Sequence, residues 1–421
     1  MRFSDKLLAI AERAEAALAP QFAHIARISC ANTARVMEAF AEHRVDAACL
    51  APSTGYGYDD RGRDVLDRIY ADVMGAEAAF VRHQIVNGTH ALTVGLFGLL
   101  RPGDILLSVA GKPYDTLGDV IGITGERGNG SLADFGVTYR QIELIEGKRL
   151  DLAAIKAALS GPDGERIRVC FIQRSKGYLN RRTLTVDEIG EAVREIKATR
   201  PDVFVVVDNC YGEFTELREP PAVGVDLAIG SLIKNPGGGM AESGGYLAGT
   251  ARAVELASYR FTCPGIGLEV GATLGQNKHM LRGLFYAPHT VAEALKTAHF
   301  AAYIFRELGY EVEPQPEEVR SDIIQTVKTG SAEGLCAFCR GIQAGSPVDA
   351  YVTPEPWAMP GYQDEVIMAA GTFVQGASIE LSADGPLKPP YTAFFQGGLT
   401  VESGRIGVLS AAEEMLNSKQ E

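Results

Sequence analysis

A chain of 421 residues with 46% hydrophobic and 22% charged side chains has the composition of a water-soluble globular protein, long enough for two or three domains. Its formal net charge of -13 argues against nucleic acid as a partner, although a local basic pocket is still compatible with it. No run approaches the roughly 18 uninterrupted apolar residues of a membrane span, so no membrane partner is expected.

The first twenty residues mix Asp5, Lys6, Glu12, Arg13 and Glu15 among apolar positions, which predicts an amphipathic helix rather than a secretory leader. Leu7, Ala11, Ala14 and Leu18 share one face, and Pro20 is expected to stop the helix. Alanine-rich helices continue to about residue 50, closed by Asp46 to Leu50. A glycine and tyrosine loop follows, Ser53-Thr54-Gly55-Tyr56-Gly57-Tyr58-Asp59-Asp60-Arg61-Gly62, and then a helix over 63–74. Such a loop suits contact with a phosphate; taken alone it reads better as a surface turn.

A strand over 78–86 ends at Asn87-Gly88-Thr89-His90 and runs into a helix over 91–100. A strand, a glycine turn and a helix start leave free backbone N–H groups facing an anion. The next strand, 104–109, precedes Gly111-Lys112-Pro113-Tyr114-Asp115-Thr116, where Tyr114 suits either a stack on a flat ring or ordinary packing. Further strands are predicted near 141–144 and over 168–172. Thr185 with Glu188 has the capping-box spacing of a helix start.

The apolar run Val203 to Val207 stops at Asp208-Asn209-Cys210-Tyr211, and Val225 to Ile229 leads to Ser231-Leu232-Ile233-Lys234-Asn235-Pro236-Gly237-Gly238-Gly239. Short β-branched runs bounded by polar and glycine residues read as buried parallel strands, whose carboxyl ends carry ligands. Strand and helix alternation from 75 to 250 predicts a parallel or mixed sheet with helices on its faces. Beyond Gly249 the sequence predicts a glycine-spaced helical stretch to Gly283, then a long helix over 288–308 crossing to a smaller domain. Strands are expected over 322–327 and 378–381, with an irregular Pro-, Trp- and Tyr-rich loop over 351–363 beside a site or an interface. The resulting domains are an N-terminal helical segment (1–52), a large domain (53–285) and a small C-terminal domain (286–421).

Seven scattered cysteines do not form a disulfide framework and point to a reducing, cytoplasmic compartment. Cys336 and Cys339 read as buried thiols on a helix face, and no metal site is expected.

An acid (Asp208), a hydroxyl (Ser231) and a lysine (Lys234) gathered at strand ends match the needs of pyridoxal 5'-phosphate: an amine for its aldehyde, a carboxylate for its ring nitrogen, donors for its phosphate. Together with Gly55-Tyr56-Gly57-Tyr58-Asp59-Asp60, Asn87-Gly88-Thr89-His90-Ala91, the Tyr114 segment, Pro354-Glu355-Pro356-Trp357, Gly376-Ala377-Ser378-Ile379-Glu380-Leu381-Ser382 and Pro389-Pro390-Tyr391, these residues carry a resemblance over nearly the whole chain. The sequence resembles fold-type-I pyridoxal-phosphate enzymes of the cystathionine/methionine gamma-lyase class, and more narrowly the methionine gamma-lyase-like, or aluminium-resistance, family.

The resemblance implies an α/β fold of the PLP-dependent transferase type: a mainly parallel seven-stranded sheet with helices on both faces, plus a smaller α+β C-terminal domain. It implies that Lys234 binds the cofactor covalently and then moves the Cα proton. Asp208 would hold the ring nitrogen protonated, Tyr114 would stack on the ring, and Gly88, Thr89 and Ser231 would hold the phosphate. Tyr56 or Tyr58, with Arg61, would reach the phosphate of a neighbouring subunit, giving a homodimer with shared sites, commonly within a homotetramer. Tyr114 or a tyrosine of the 56–58 loop would protonate the leaving sulfur. Two departures stand out: Ile233 replaces the hydroxyl residue that precedes the lysine in the wider class, and the arginine for the substrate carboxylate has no clear counterpart, Arg405 and Arg174 being the candidates. The expected reaction is cleavage of a Cβ–S or Cγ–S bond in a small amino-acid substrate. The alternatives are a transaminase, an aldolase-type lyase, a β-substituting transferase, or a non-catalytic protein of this fold linked to metal tolerance.

Overall fold

A computed structural model describes residues 3–179, 181–359 and 362–418. Helices α1 (Asp5–Ala17) and α2 (Ala19–Glu42) open the chain. Pro20 sits in the first turn of α2, where its missing N–H costs no bond, so it starts a helix as well as ending one. The predicted face of α1 is buried: Leu7, Ala11, Ala14 and Leu18 pack with Phe300, Phe305 and Phe338, far along the chain. Helix α3 (Arg61–Met74) begins two residues before the predicted start, because the Asp60 carboxylate accepts from the Arg63 N–H at 2.9 Å and caps it there.

The large sheet is assembled from β1 (Ala78–Arg82), α4 (Gly88–Leu99), β2 (Ile105–Ser108), α5 (Asp115–Ile121), β3 (Thr138–Gln141), α6 (Leu152–Ser160), β4 (Ile167–Gln173), α7 (Val186–Thr199), β5 (Phe204–Asp208), β6 (Leu227–Ser231) and β7 (Gly245–Gly249). Its order is β1-β7-β6-β5-β4-β2-β3; β7 runs antiparallel to both neighbours and the other pairings are parallel. The seven strands and the mainly parallel character are as the sequence implied. Strand β3 lies three residues earlier than predicted and is mostly exposed, as an edge strand can be. The capping box of α7 is present, with Thr185 N donating to Glu188 at 2.8 Å and Glu188 N donating to Thr185 at 3.2 Å. Val205, Val206 and Val207 are wholly buried in the sheet centre, each contributing roughly 1.5–3 kcal/mol by burial. That rigid strand is what fixes Asp208 at its end.

After α8 (Ala251–Phe261), a single helix α9 (Asn277–Glu307) replaces the predicted break, with Pro288 inside it, so the boundary drawn at 285/286 falls within this helix. The chain then forms β8 (Glu311–Glu313), β9 (Gln325–Lys328), α10 (Ala332–Ala344), β10 (Val366–Ala369), β11 (Ser382–Pro386), β12 (Thr392–Gln396) and α11 (Val401–Asn417). The five short strands make an antiparallel sheet ordered β10-β11-β12-β9-β8. Residues 378–381 form a turn rather than the predicted strand, which begins at Ser382. Helix α9 passes the turn after Lys234 so closely that a Cβ on Gly283 would press into the backbone of Gly237, and one on Gly238 into the Gly283 carbonyl. Cys339 is buried and Cys336 half-buried on α10, and no group of three or more potential metal ligands occurs among the described residues. Among those residues, no helix is long and apolar enough to cross a membrane.

Candidate active site

The carboxyl ends of β5 and β6, the start of α4 and the near edge of the small sheet enclose a cavity of about 220 Å³. Asp208 and Ser231 are the last residues of their strands, and Lys234 follows in a turn held by Lys234 N donating to Ser231 O and Gly237 N donating to Lys234 O. Asn87 caps α4 by accepting from His90 N at 2.7 Å, which aims the first N–H groups of the helix, at Gly88 and Thr89, into the cavity. The Thr89 hydroxyl meets that of Thr116 at 2.8 Å.

Lys234 Nζ lies 4.2 Å from the centroid of the Tyr211 ring, a cation–π contact. Tyr211 itself takes a left-handed backbone conformation (φ 72°), a strain typical of functional turns. Burial, the largest influence, lowers the Lys234 pKa and the acidic groups around it raise it, the net direction being upward. Burial also pushes the Cys210 thiol and the Tyr211 phenol up, so both keep their protons at neutral pH.

Tyr114, Tyr211 and Tyr362 line the site, and Tyr178 stands behind them. Tyr114 and Tyr362 share a 2.7 Å hydroxyl–hydroxyl hydrogen bond, and Tyr178 packs against both with centroids 5.8 Å away. Ser378 donates to the Tyr211 hydroxyl at 3.3 Å. Burial, then the neighbouring Tyr362 and Asp384, raise the Tyr114 phenol, so it keeps its proton at neutral pH. Asp384 reaches the cavity from β11; burial pushes its carboxyl up to about 7, against the pull of Tyr178, Gln396 and Lys234. Its Oδ1 is buried without a partner among the described residues. This acid is protonated when folded and ionised when unfolded between its ordinary value and about 7, so the folded state binds more protons across that window. Stability is therefore expected to fall with rising pH there, by up to about 1.4 kcal/mol per pH unit from this group. Asp384→Asn should flatten that slope in urea titrations run from pH 4 to 8; an unchanged slope would show that Asp384 does not titrate there.

Of the residues predicted from sequence, Lys234, Asp208, Tyr114, Gly88, Thr89 and Ser231 line this one cavity. Tyr56, Tyr58 and Arg61 do not. The two tyrosines are 72% and 64% exposed, stacked on each other at 5.4 Å, on a loop pinned beneath by buried Arg63, which donates to Gly57 O at 2.7 Å. Arg61 faces outward and pairs with Asp46 at 2.9 Å. Neither arginine candidate for a substrate carboxylate reaches the cavity. Arg405 lies on α11, paired with Glu15 and set over the Phe300 ring at 4.9 Å. Arg174 is wholly buried behind Asp208, donating to Asn209 at 2.7 Å and Glu216 at 2.6 Å, with Glu219 at 3.8 Å. Among the described residues no arginine lines the cavity. Tyr211, Tyr362, Ser378, Asp384 and Gln396 were missed as site residues, although the sequence set residues 351–363 beside a site and Tyr211 stands three residues after Asp208.

The set fits pyridoxal phosphate. Ser231 Oγ is buried without a partner among the described residues, next to the free N–H groups of α4, which is the place for a phosphate. Asp208, 8% exposed, offers a carboxylate to a ring nitrogen, and Lys234 offers its amine to an aldehyde.

Comparison with known proteins agrees. Residues 7–416 match the family model for methionine gamma-lyase. The uncharacterized protein YnbB of Bacillus subtilis (strain 168) is 49% identical over 405 residues, 96% of this chain and 95% of that one. The crystal structure of a carbon-sulfur lyase involved in aluminum resistance from Clostridium novyi NT superimposes with a TM-score of 0.94 at 49% identity, covering 98% of this chain and 96% of that one. The pyridoxal-5'-phosphate dependent protein YhfS from Escherichia coli shares the fold, with a TM-score of 0.61 at 16% identity over 93% of this chain and 97% of that one.

Proposed function

Since the chain belongs to the methionine gamma-lyase family, we propose that it is a pyridoxal-phosphate-dependent carbon–sulfur lyase acting on a sulfur-containing amino acid. The observation that carries this reading is half-buried Lys234, its amine over the Tyr211 ring in the cavity that Asp208 and the start of α4 also line. When bound, the cofactor supplies an electron sink for charge developing at Cα. Asp208 would keep the ring nitrogen protonated, and Gly88, Thr89 and Ser231 would anchor the phosphate. Lys234 would hold the cofactor through its amine and serve as the base for the Cα proton. Tyr114, protonated at neutral pH and hydrogen-bonded to Tyr362, would give its proton to a leaving sulfur, a role these two observations support. The balance is loss of a thiol and ammonia with gain of water, leaving a 2-oxo acid.

The exposed Tyr56–Tyr58 stack supports a second element: this loop closes the cofactor site of a neighbouring copy, so that the working unit is a homodimer or a tetramer of two such dimers. A panel of sulfur amino acids, including cystathionine and methionine, tests the reaction. Equimolar thiol and 2-oxo acid without an added amino acceptor are expected. Turnover that requires a 2-oxo acid acceptor and releases no thiol would replace this reading with a transaminase.

A further inference from the structure

Behind the tyrosine wall lies a second cavity, of about 80 Å³, between the loop after β4 and the edge of the small sheet formed by β8, β9, β11 and β12. A single water needs roughly 10–15 Å³ of such space, so this one has room for a small ion. Lys176 lines it. This lysine is 2% exposed, yet its Nζ has no hydrogen bond or ion pair among the described residues, only its carbonyl accepting from Leu179 N. The negative charges that act on it most belong to Asp322 and Glu313, and Glu313 lines the same cavity. Asp322 is already committed, accepting from Thr183 Oγ1 and from Ile324 N at 3.0 Å. Arg181 lines the same cavity at 5% exposure; its Nη2 donates to Gln173 O at 2.6 Å and to Ser175 O, while Nε and Nη1 are buried without partners among the described residues. Two more cations, Lys328 and Lys388, stand at its rim, paired outward with Glu311 and Asp364.

Burying an ammonium and half a guanidinium without partners is expensive, and a fold keeps such an arrangement where a counter-charge completes it. Burial lowers the pKa of both groups, that of Arg181 to about 10, which shows how weakly the protein alone compensates them. We propose that this cavity is an anion-binding site for a single carboxylate or phosphate group, held by Lys176 and Arg181, distinct from the cofactor pocket and joined to it through Tyr178. The connection is direct: Tyr178 lines the second cavity on one side and on the other packs against Tyr114 and Tyr362. An anion held between Lys176 and Arg181 therefore also bears on the ring that backs the proposed proton donor.

The test uses the holoenzyme, so that cofactor phosphate already fills its own site. Inorganic phosphate and succinate are titrated calorimetrically in a buffer free of other polyvalent anions, and melting temperatures are recorded alongside. One of the two is expected to bind in a 1:1 ratio and to raise the melting temperature; which one does so separates a phosphate-bearing from a carboxylate-bearing ligand. Lys176→Met should bind at least 10-fold more weakly and should melt higher than wild type without anion, because an unpaired buried charge has gone. Lys328→Ala, at the rim and safe for folding, should weaken binding a few-fold. If neither anion binds, or if Lys176→Met binds as tightly as wild type, the proposal fails. Neither result bears on the visible absorption of the bound cofactor, so it stands or falls apart from the lyase reading.

Discussion

Lys234→Ala is expected to lose the visible absorption of lysine-bound cofactor and to lower thiol release by at least about 10²–10⁴-fold, the range of a deleted general base. On the proposed reading two functions would vanish with one amine: the covalent hold on the cofactor, and the base at Cα. The protein should still fold. Its turn is set by backbone hydrogen bonds from Lys234 N to Ser231 O and from Gly237 N to Lys234 O, neither of which needs the side chain. What the side chain contributes is a cation between the Asp208 carboxylate and the face of Tyr211, 4.2 Å from its centroid. Lys234→Arg separates the two contributions, since it keeps the charge and abolishes the covalent link. Spectra and turnover of both variants check the assignment. If either retains the wild-type band and rate, the cofactor is attached elsewhere.

Arg174→Ala should destabilise the protein by about 3–5 kcal/mol, the loss typical when one member of a buried ion pair is removed. Arg174 has no exposed surface, and Glu219 beside it has almost none. Burial raises the Glu219 pKa, and the Arg174 charge is foremost among the groups pulling it back, followed by Arg35. Asn209 links the two, accepting from Arg174 at 2.7 Å and donating to Glu219 at 3.1 Å, and donating also toward Tyr246 at 3.1 Å. Without the guanidinium, Glu219 and half-buried Glu216 are left without their strongest partner behind the strand end that holds Asp208. Urea denaturation measures the effect. A residue that gripped a substrate carboxylate would behave otherwise, raising KM with stability unchanged, and that result would return Arg174 to the substrate site.

The part of this architecture legible in sequence is the part made by neighbours in the chain. Asp208, Ser231 and Lys234 follow apolar runs that can only be buried strands, and Asn87-Gly88-Thr89 announces a helix start by its own chemistry. The rest comes from distance. Asp384 and Gln396 enter from an antiparallel sheet some 150 residues later, with Ser378 from the turn before it, and nothing in Ser382-Ala383-Asp384-Gly385 signals that its acid lines the cavity of Lys234. Pro288 was read as a helix start on local grounds; packing of α9 against both halves of the molecule carries the helix through it. The arginines failed for a related reason. A guanidinium in a sequence advertises charge, but not whether carboxylates of the same protein, Glu15 for Arg405 and Glu216 for Arg174, already occupy it.

The glycines where α9 passes the lysine turn bear on how such a site tolerates change. Gly237, Gly238 and Gly283 carry no functional group, and a survey ranking positions by the chemistry they contribute would put them last. Yet backbone lies directly on backbone there, with no compressible side chain between, so the aim of Lys234 is borrowed from a 31-residue rod that also runs under the small sheet. In this region the intolerant positions are those where matter is missing, and one added methyl 49 positions down the chain would be felt at the reacting amine before any charge had been altered.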